Sequence, residues 1–267
     1  MQLRQVASIL WVFCAAWMSA APVGKDAEKP SPVPVNQLLV AGNACGPAAL
    51  INAFRFGNSD WQRALDAAAA DNDKQCILRV IREIGMRPSK HIPGRSRWSR
   101  RGVSVADLRD MADEMTTGRF LPRLHDEVFF LNPRELPENL LLRVYQRLSK
   151  SISKGLPPVL SLRRYALRAQ ASGPPQWTLI DAHFVTLTAI HGKSAGDPRG
   201  FAVDYIDPWG GKFCQGTIRI PDQPFLSDTS GNPSCLEAVF PKASVGVKMV
   251  RKGEKTFIAV SAAIGRW

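Results

Sequence analysis

The spacing of apolar residues changes once along the chain, and this change limits the folds that the chain can adopt. Up to residue 154 the apolar residues recur every three or four positions, as in amphipathic helices. From Val159 onward they form short β-branched runs bounded by glycine and proline, which predict strands. The predicted helices cover 45–56, 60–70, 74–85, 104–115 and 134–154, and the predicted strands cover 159–162, 183–190, 201–206, 217–220, 238–240, 245–250 and 257–260. Helices followed by consecutive strands favour an α+β domain, with the helices packed on an antiparallel sheet.

The first 20 residues have the layout of a secretory signal peptide. Arg4 supplies a basic start, residues 6–16 are apolar, and small residues surround a predicted cleavage site after Ala20. An uncleaved membrane anchor is the alternative, but the apolar run is shorter than the roughly 18 residues that a span requires. No later segment approaches that length. We therefore expect a mature protein without a membrane span that is secreted or held in the periplasm or cell envelope.

The chain after the signal peptide divides into a linker and one domain. Residues 21–34 are rich in proline and charge, which predicts an extended polar linker. Residues 35–267 contain no internal repeat and no second hydrophobic unit. We therefore expect a single domain over this range.

The chain is strongly basic, with a formal net charge of +12 that falls by one when Arg4 is removed with the signal peptide. The most basic segment is a loop over 87–101 that carries Arg95, Arg97, Arg100 and Arg101. One interpretation is a solvated loop, and the other is a docking surface for anionic material. No zinc-finger, RNA-recognition or helix-turn-helix motif is present, so specific nucleic-acid binding is not expected.

Four cysteines remain after residue 20: Cys45, Cys76, Cys214 and Cys235. Four cysteines allow three disulfide pairings in an oxidising compartment. Cys214 and Cys235 enclose a loop rich in glycine, proline and serine and are the preferred pair. The absence of a CxxC motif argues against a zinc site, and no cofactor or metal set is expected.

Cys45 lies in the segment Asn43-Ala44-Cys45-Gly46-Pro47, which reads as a loop entering a helix. Pro47 fits the first helical turn, where its missing N–H would have had no partner. The positive end of the helix dipole favours the thiolate, the form of cysteine that attacks carbonyls. A buried structural cysteine is the alternative interpretation.

His183 and Asp207 are the candidate partners of this thiol. If the strands over 183–190 and 201–207 form a hairpin around a turn near residue 195, these two residues lie opposite each other at its open end. A carboxylate beside one imidazole nitrogen fixes the ring, which leaves the other nitrogen to face a thiol. Taken singly, His183 could be a polar strand-edge residue and Asp207 a turn residue. Together with Cys45 they have the composition of a nucleophilic triad.

Three stretches carry a family resemblance: residues 43–50 around Cys45, Asp181-Ala182-His183-Phe184-Val185, and Tyr205-Ile206-Asp207-Pro208-Trp209-Gly210. In order and spacing they are similar to the C39-like, bacteriocin-processing group of papain-like cysteine peptidases. The resemblance implies a papain-like fold with the cysteine on a helix and the histidine and aspartate on the sheet. It also implies cleavage of peptide or isopeptide bonds through a thioester acyl-enzyme, with peptides or proteins as substrates.

Members of this family usually carry a glutamine six residues before the cysteine, which donates to the oxyanion. Leu39 occupies that position here, while Gln37 lies eight residues before Cys45 and Asn43 lies two before it. Either amide could supply a donor beside the backbone N–H of Cys45. Gln37 is the preferred candidate because the length of the intervening loop can vary.

Three functions are consistent with these residues. The first is an exported cysteine peptidase that uses Cys45, His183 and Asp207. The second is a transpeptidase similar to phytochelatin synthase, in which an amine rather than water resolves the thioester. The third is a weak or inactive papain-fold module that binds anionic envelope material through its basic loop.

Overall fold

Helices and an antiparallel sheet make up the described part of the chain, as the sequence predicts. The computed structural model describes residues 32–40, 43–194, 197–222 and 234–267. These residues belong to the compact unit Pro32–Trp267. The predicted signal peptide and nearly all of the predicted linker lie outside the described residues.

Five α-helices occur within these ranges: α1 (Cys45–Arg55), α2 (Ser59–Gln62), α3 (Asp73–Arg79), α4 (Val105–Thr116) and α5 (Pro137–Ser153). The strands are β1 (Trp98–Ser99), β2 (Gly102–Val103), β3 (His125–Val128), β4 (Val159–Arg168), β5 (Gln176–Ser194), β6 (Asp197–Asp207), β7 (Lys212–Arg219), β8 (Leu236–Val239) and β9 (Thr256–Gly265). The α+β class is confirmed.

The helix predictions hold for α1, α4 and α5, which lie close to the predicted ranges. The Ser104 hydroxyl accepts the Asp107 backbone N–H at 3.1 Å, which caps the start of α4. The predicted helix over 60–70 is instead the short α2 followed by a 3-10 helix at Arg63–Ala68. The predicted helix over 74–85 changes to a π-helix at Val80–Gly85.

The predicted strand over 245–250 is wrong. This segment contains a 3-10 helix at Val247–Met249, preceded by Gly246 in the left-handed conformation (φ +61°). The Gly246 N–H donates to the Asp181 carboxylate at 2.6 Å, and the Val245 carbonyl accepts from Arg164 at 2.6 Å. These side-chain contacts hold the segment as a loop against β4 and β5.

Within the described residues, seven strands form one antiparallel sheet in the order β3-β9-β4-β5-β6-β7-β8. Strand β8 also pairs with β9, with Leu236 opposite Val260, so the sheet from β4 to β9 closes on itself. Strand β9 therefore pairs with β3, β4 and β8. Strands β5 and β6, which carry His183 and Asp207, are interior strands of this sheet and are paired on both sides.

Two large apolar clusters stabilise this arrangement. The first joins α1, α3 and α4 to one face of the sheet through residues such as Phe184. The second joins buried side chains of strands β4 to β9 to the apolar face of α5. Of the four residues predicted for that face of α5, Leu140, Val144 and Leu148 are buried, and Ile152 is half-buried and packs against the same cluster. Burial of these side chains provides the main driving force for packing the helices on the sheet.

The preferred disulfide is not formed. Cys214 belongs to the second apolar cluster, whereas Cys235 packs in a separate small cluster with Tyr165 and Phe257. Cys214 and Cys235 are not joined by a disulfide, and neither are Cys45 and Cys76. Among the described residues no helix has both the length and the apolar character needed to cross a membrane.

Candidate active site

Cys45 is the first residue of α1, as the sequence predicts. Its side chain is only 8% exposed. The helix is fixed to the sheet by the Thr186 hydroxyl of β5, which donates to the Ala49 carbonyl at 2.7 Å. The thiol therefore lies at the N-terminal end of a helix that is anchored on the same strand as His183.

His183 and Asp207 form a direct contact. The imidazole Nε2 lies 2.8 Å from Asp207 Oδ1, and both side chains are buried. The predicted register is wrong, however: Thr186 pairs with Ile206, so continuing that register by one residue sets Asp207 across from Val185. His183 is two residues further along β5, which makes the pair a diagonal one. The β5–β6 pairing shifts register at three places between Leu187 and Ser194, so it is not the uninterrupted hairpin that the prediction assumed.

The Asp207 carboxylate is fully buried and accepts three hydrogen bonds. Oδ1 accepts from His183 and from the Trp209 backbone N–H at 2.9 Å, and Oδ2 accepts from the Ser244 backbone N–H at 2.9 Å. Burial alone would raise the pKa of Asp207, but the His183 hydrogen bond and charge and these two amides hold it below its ordinary value. The carboxylate is therefore ionised and fixed in position at neutral pH.

The imidazole of His183 interacts with Cys45 as well as with Asp207. Burial lowers the pKa of His183, but hydrogen bonds to Asp207 and Cys45 and the charges of those two groups raise it to about 10. The ring is therefore protonated at neutral pH. Because Asp207 engages Nε2, the nitrogen left for the Cys45 thiol is Nδ1.

Gln37 is fully buried beside the turn that follows Asp207. Its backbone N–H donates to the Pro208 carbonyl at 2.9 Å, and the neighbouring Asn36 side chain accepts the Gly210 N–H at 3.0 Å. Gly211 adopts a positive φ of +61°, and a Cβ there would lie 2.9 Å from the Pro34 carbonyl oxygen. The Gln37 segment and the Asp207 turn are therefore packed directly together.

Asn52 joins the same segment to the helix that carries Cys45. Its side-chain oxygen accepts the Val35 N–H at 2.7 Å, and its amide donates to the Val35 carbonyl at 3.4 Å. Both residues are fully buried. Gln37 lies two residues after Val35, so the Asn52 side chain fixes the segment of Gln37 against the helix that begins at Cys45.

The other two positions considered for the oxyanion donor point to different surroundings. The Asn43 amide donates to the Ser99 carbonyl at 3.3 Å, which engages it with the β1–β2 hairpin. Leu39 is 45% exposed and carries no donor on its side chain. Of the three positions, Gln37 is the buried one with an amide side chain.

The basic loop over 87–101 ends within the β1–β2 hairpin, which adjoins the residues around Cys45. Arg97 is buried and forms an ion pair with Glu114 of α4, which Arg87 also contacts. Arg97 is therefore not available to an anionic surface, contrary to the expectation from sequence. The expectation failed because Glu114 lies far along the chain and neutralises Arg97 only in the folded protein.

Sequence reasoning did not identify Asn52 or Ser244. Asn52 had a signal, because it is the polar residue in the run Leu50-Ile51-Asn52-Ala53-Phe54, which is otherwise apolar and is buried in the structure. Ser244 had none, since it contributes only its backbone N–H to Asp207.

Two further findings concern the identity of the site. The described residues contain no group of three or more His, Cys, Asp or Glu side chains arranged to hold a metal ion. Comparisons with protein-family models, with curated proteins and with solved structures gave no match to this chain.

Proposed function

We propose that this protein is an exported cysteine peptidase that hydrolyses peptide or isopeptide bonds. The observation that supports it most strongly is that the buried His183 lies 2.8 Å from Asp207 and close enough to Cys45 for the thiol to raise the pKa of the ring. A thiol paired with a protonated imidazole, whose ring is oriented by a third group, is the arrangement that activates cysteine as a nucleophile.

In the acylation step, the Cys45 sulfur attacks the carbonyl carbon of the scissile bond as a thiolate. A C–S bond forms and the carbonyl oxygen becomes an oxyanion. The oxyanion then collapses, the C–N bond breaks, and the leaving nitrogen takes the proton that His183 holds on Nδ1. The products are a free amine and a thioester on Cys45.

In the deacylation step, neutral His183 accepts a proton from water while the water oxygen attacks the thioester carbonyl. Collapse of this second oxyanion breaks the C–S bond and releases the carboxylic acid. The Cys45 thiolate and the His183 imidazolium are restored, and Asp207 stabilises the charge of that ring throughout.

Gln37 is the oxyanion donor in this proposal, together with the backbone N–H of Cys45. Its support is its burial beside the Asp207 turn and its connection through Val35 and Asn52 to the helix of Cys45. Removing one such donor costs about 10²- to 10³-fold in rate, so Gln37 would be essential for efficient turnover.

We further infer that the fold is papain-like and of the C39-like kind. The supporting features are a helix that begins at the cysteine, an antiparallel sheet that carries the histidine and the aspartate, and the order of these residues along the chain. Export rests on the composition of residues 1–20 alone.

Chemical labelling tests the proposal. Brief treatment of the full chain with iodoacetamide at pH 7, followed by peptide mass spectrometry, should modify Cys45 before Cys76 and Cys214. His183→Ala should lower the Cys45 rate at least tenfold, because the imidazolium that stabilises the thiolate is lost. The matched control is His191→Ala, since His191 forms an exposed pair with Asp204 on the same two strands. Equal rates at all cysteines would contradict the proposal.

A second candidate function is a non-catalytic module that binds anionic envelope material. The observation that favours it is the exposure of Arg100 and Arg101 on the β1–β2 hairpin. A Cys45 that resists iodoacetamide, combined with hairpin-dependent binding to an anionic polymer, would favour this function over hydrolysis.

A further inference from the structure

The β1–β2 hairpin contacts the residues immediately around Cys45. The Trp98 indole N–H donates to the Asn43 carbonyl at 3.1 Å, and the Asn43 amide returns a hydrogen bond to the Ser99 carbonyl at 3.3 Å. Strand β2 also lies against the helix start, because a Cβ on Gly46 would be 2.4 Å from Cγ1 of Val103. The hairpin therefore contacts the chain on both sides of Cys45, at Asn43 before it and at Gly46 after it.

The tip of this hairpin is positively charged. Ser99 pairs with Gly102, so Arg100 and Arg101 form the turn, and both are exposed. Neither forms an ion pair with an acidic side chain in the part of the chain that the structure describes. With about 3.3 Å per residue along a strand, the turn lies roughly 7 Å from the Trp98 and Val103 positions.

Arg95 has a different role from the two tip arginines. Its guanidinium donates to the Ser99 hydroxyl and to the Gly102 carbonyl, each at 3.0 Å. These two bonds link Arg95 to both strands of the hairpin, because Ser99 belongs to β1 and Gly102 to β2. A depression of about 360 Å³ lies between Arg95, Ser99, Arg100 and Arg101, where an anionic group could enter.

We propose that the tip arginines select acidic substrates: Arg100 and Arg101 bind an acidic side chain of a peptide whose scissile bond lies at Cys45. This inference rests on the proposed hydrolase function and adds the substrate class. Guanidinium groups bind carboxylates through paired hydrogen bonds. A hairpin fixed to the nucleophile segment holds those groups at a constant distance from the reacting sulfur.

The test compares two alkylating reagents of similar size on the full chain. Iodoacetate carries a carboxylate and iodoacetamide does not. The iodoacetate rate divided by the iodoacetamide rate at Cys45 therefore increases with the local positive charge. In Arg100→Gln/Arg101→Gln the ratio should fall about two- to fivefold at low salt, which is the size that Coulomb's law gives in water for removing two unit charges at a separation of about 10 Å. The iodoacetamide rate should stay the same, and 0.5 M salt should reduce the difference.

The control variant is Arg251→Gln/Lys252→Gln, which removes the same charge from an exposed turn. That turn precedes β9, whose first residue Thr256 pairs with Ala166 of β4. The β4 residue that pairs with His183 is Leu162, four positions away, so the control charges lie at a distance from the site. Its ratio should match that of the unchanged chain. An unchanged ratio in the hairpin variant, with rapid labelling by iodoacetamide, overturns the acidic preference alone. Failure of both reagents to label Cys45 overturns the hydrolase and the preference together.

Discussion

Nε2 of His183 lies 2.8 Å from Oδ1 of Asp207 even though the sheet does not place the two residues opposite each other. The contact spans a diagonal of the β5–β6 pair, which a long imidazole can bridge. The same strands carry a second pair, His191 and Asp204, at 2.9 Å on the exposed face. The two pairs share chemistry and differ in burial, so the exposed pair is a natural control for the buried one.

Asp207→Asn should slow alkylation of Cys45 by iodoacetamide at pH 7 by roughly ten- to a hundredfold. The variant replaces a charge-assisted hydrogen bond worth about 1.5–3 kcal/mol with a neutral one, and each 1.4 kcal/mol is tenfold in rate. Asp204→Asn should leave the rate unchanged. Equal effects of the two variants would show that Asp207 does not act through His183.

Cys45→Ala should lower the pKa of His183 from about 10, because the thiol is one of the two groups that raise it against the effect of burial. The measurement is ¹⁵N NMR of the imidazole across pH 5 to 11. Asp207→Asn should shift the titration in the same direction, and Asp204→Asn should not shift it. A His183 that titrates at the same pH with and without the thiol would rule out the contact.

The stabilising contribution of His183 should decrease as pH rises. Its folded pKa of about 10 exceeds the value of about 6.5 in an unfolded chain, so the contribution is complete below pH 6.5 and is lost through pH 10. The measurement is the difference in free energy of unfolding between the unchanged chain and His183→Gln. This difference should be larger at pH 5.5 than at pH 9.5, whereas a constant difference would contradict the ion pair.

Gln37→Ala should reduce acylation of Cys45 by p-nitrophenyl acetate by about 10²- to 10³-fold, as expected for loss of an oxyanion donor. Alkylation by iodoacetamide forms no oxyanion and should change less than about threefold, so the two reagents separate this role from damage to the nucleophile. Leu39→Ala, at the exposed position nearby, should behave like the unchanged chain. Equal losses with both reagents would instead indicate a structural role.

Asn52→Ala should lower the free energy of unfolding by about 1–3 kcal/mol, because it leaves the buried N–H and carbonyl of Val35 without their partners. Urea denaturation followed by circular dichroism measures this loss. Asn139→Ala, on the exposed face of α5, should change stability by less than about 0.5 kcal/mol. The prediction fails if the two variants are equally stable.

The sequence predicted most of the fold because apolar spacing is a local property. The buried face of α5 and the β-branched runs of β4 to β6 were each visible within one segment. The strand expected over 245–250 had the same β-branched character, but Asp181 and Arg164 hold that segment in a loop through contacts with distant strands. Such contacts cannot be inferred from the composition of the segment itself.

The candidate site was predictable in its members and less so in its geometry. Cys45, His183 and Asp207 were chosen from a helix start and the open end of a hairpin. The structure pairs His183 with Asp207 and leaves Cys45 close enough to affect the pKa of the ring, while a catalytic role for the three stays a prediction. The register was wrong because the prediction assumed an uninterrupted hairpin, whereas the β5–β6 pairing shifts register at three places between Leu187 and Ser194.

Strand β9 pairs with β3, β4 and β8, so ten residues complete the hydrogen bonding of three other strands. A protease cut before Thr256 that released this segment would leave three rows of amides and carbonyls without partners. Unpaired strand edges of this kind recruit other chains and cause aggregation. Because β4 lies directly beside the strand of His183, the same cut should also disturb the surroundings of Cys45, so slower alkylation of Cys45 and loss of solubility should accompany each other.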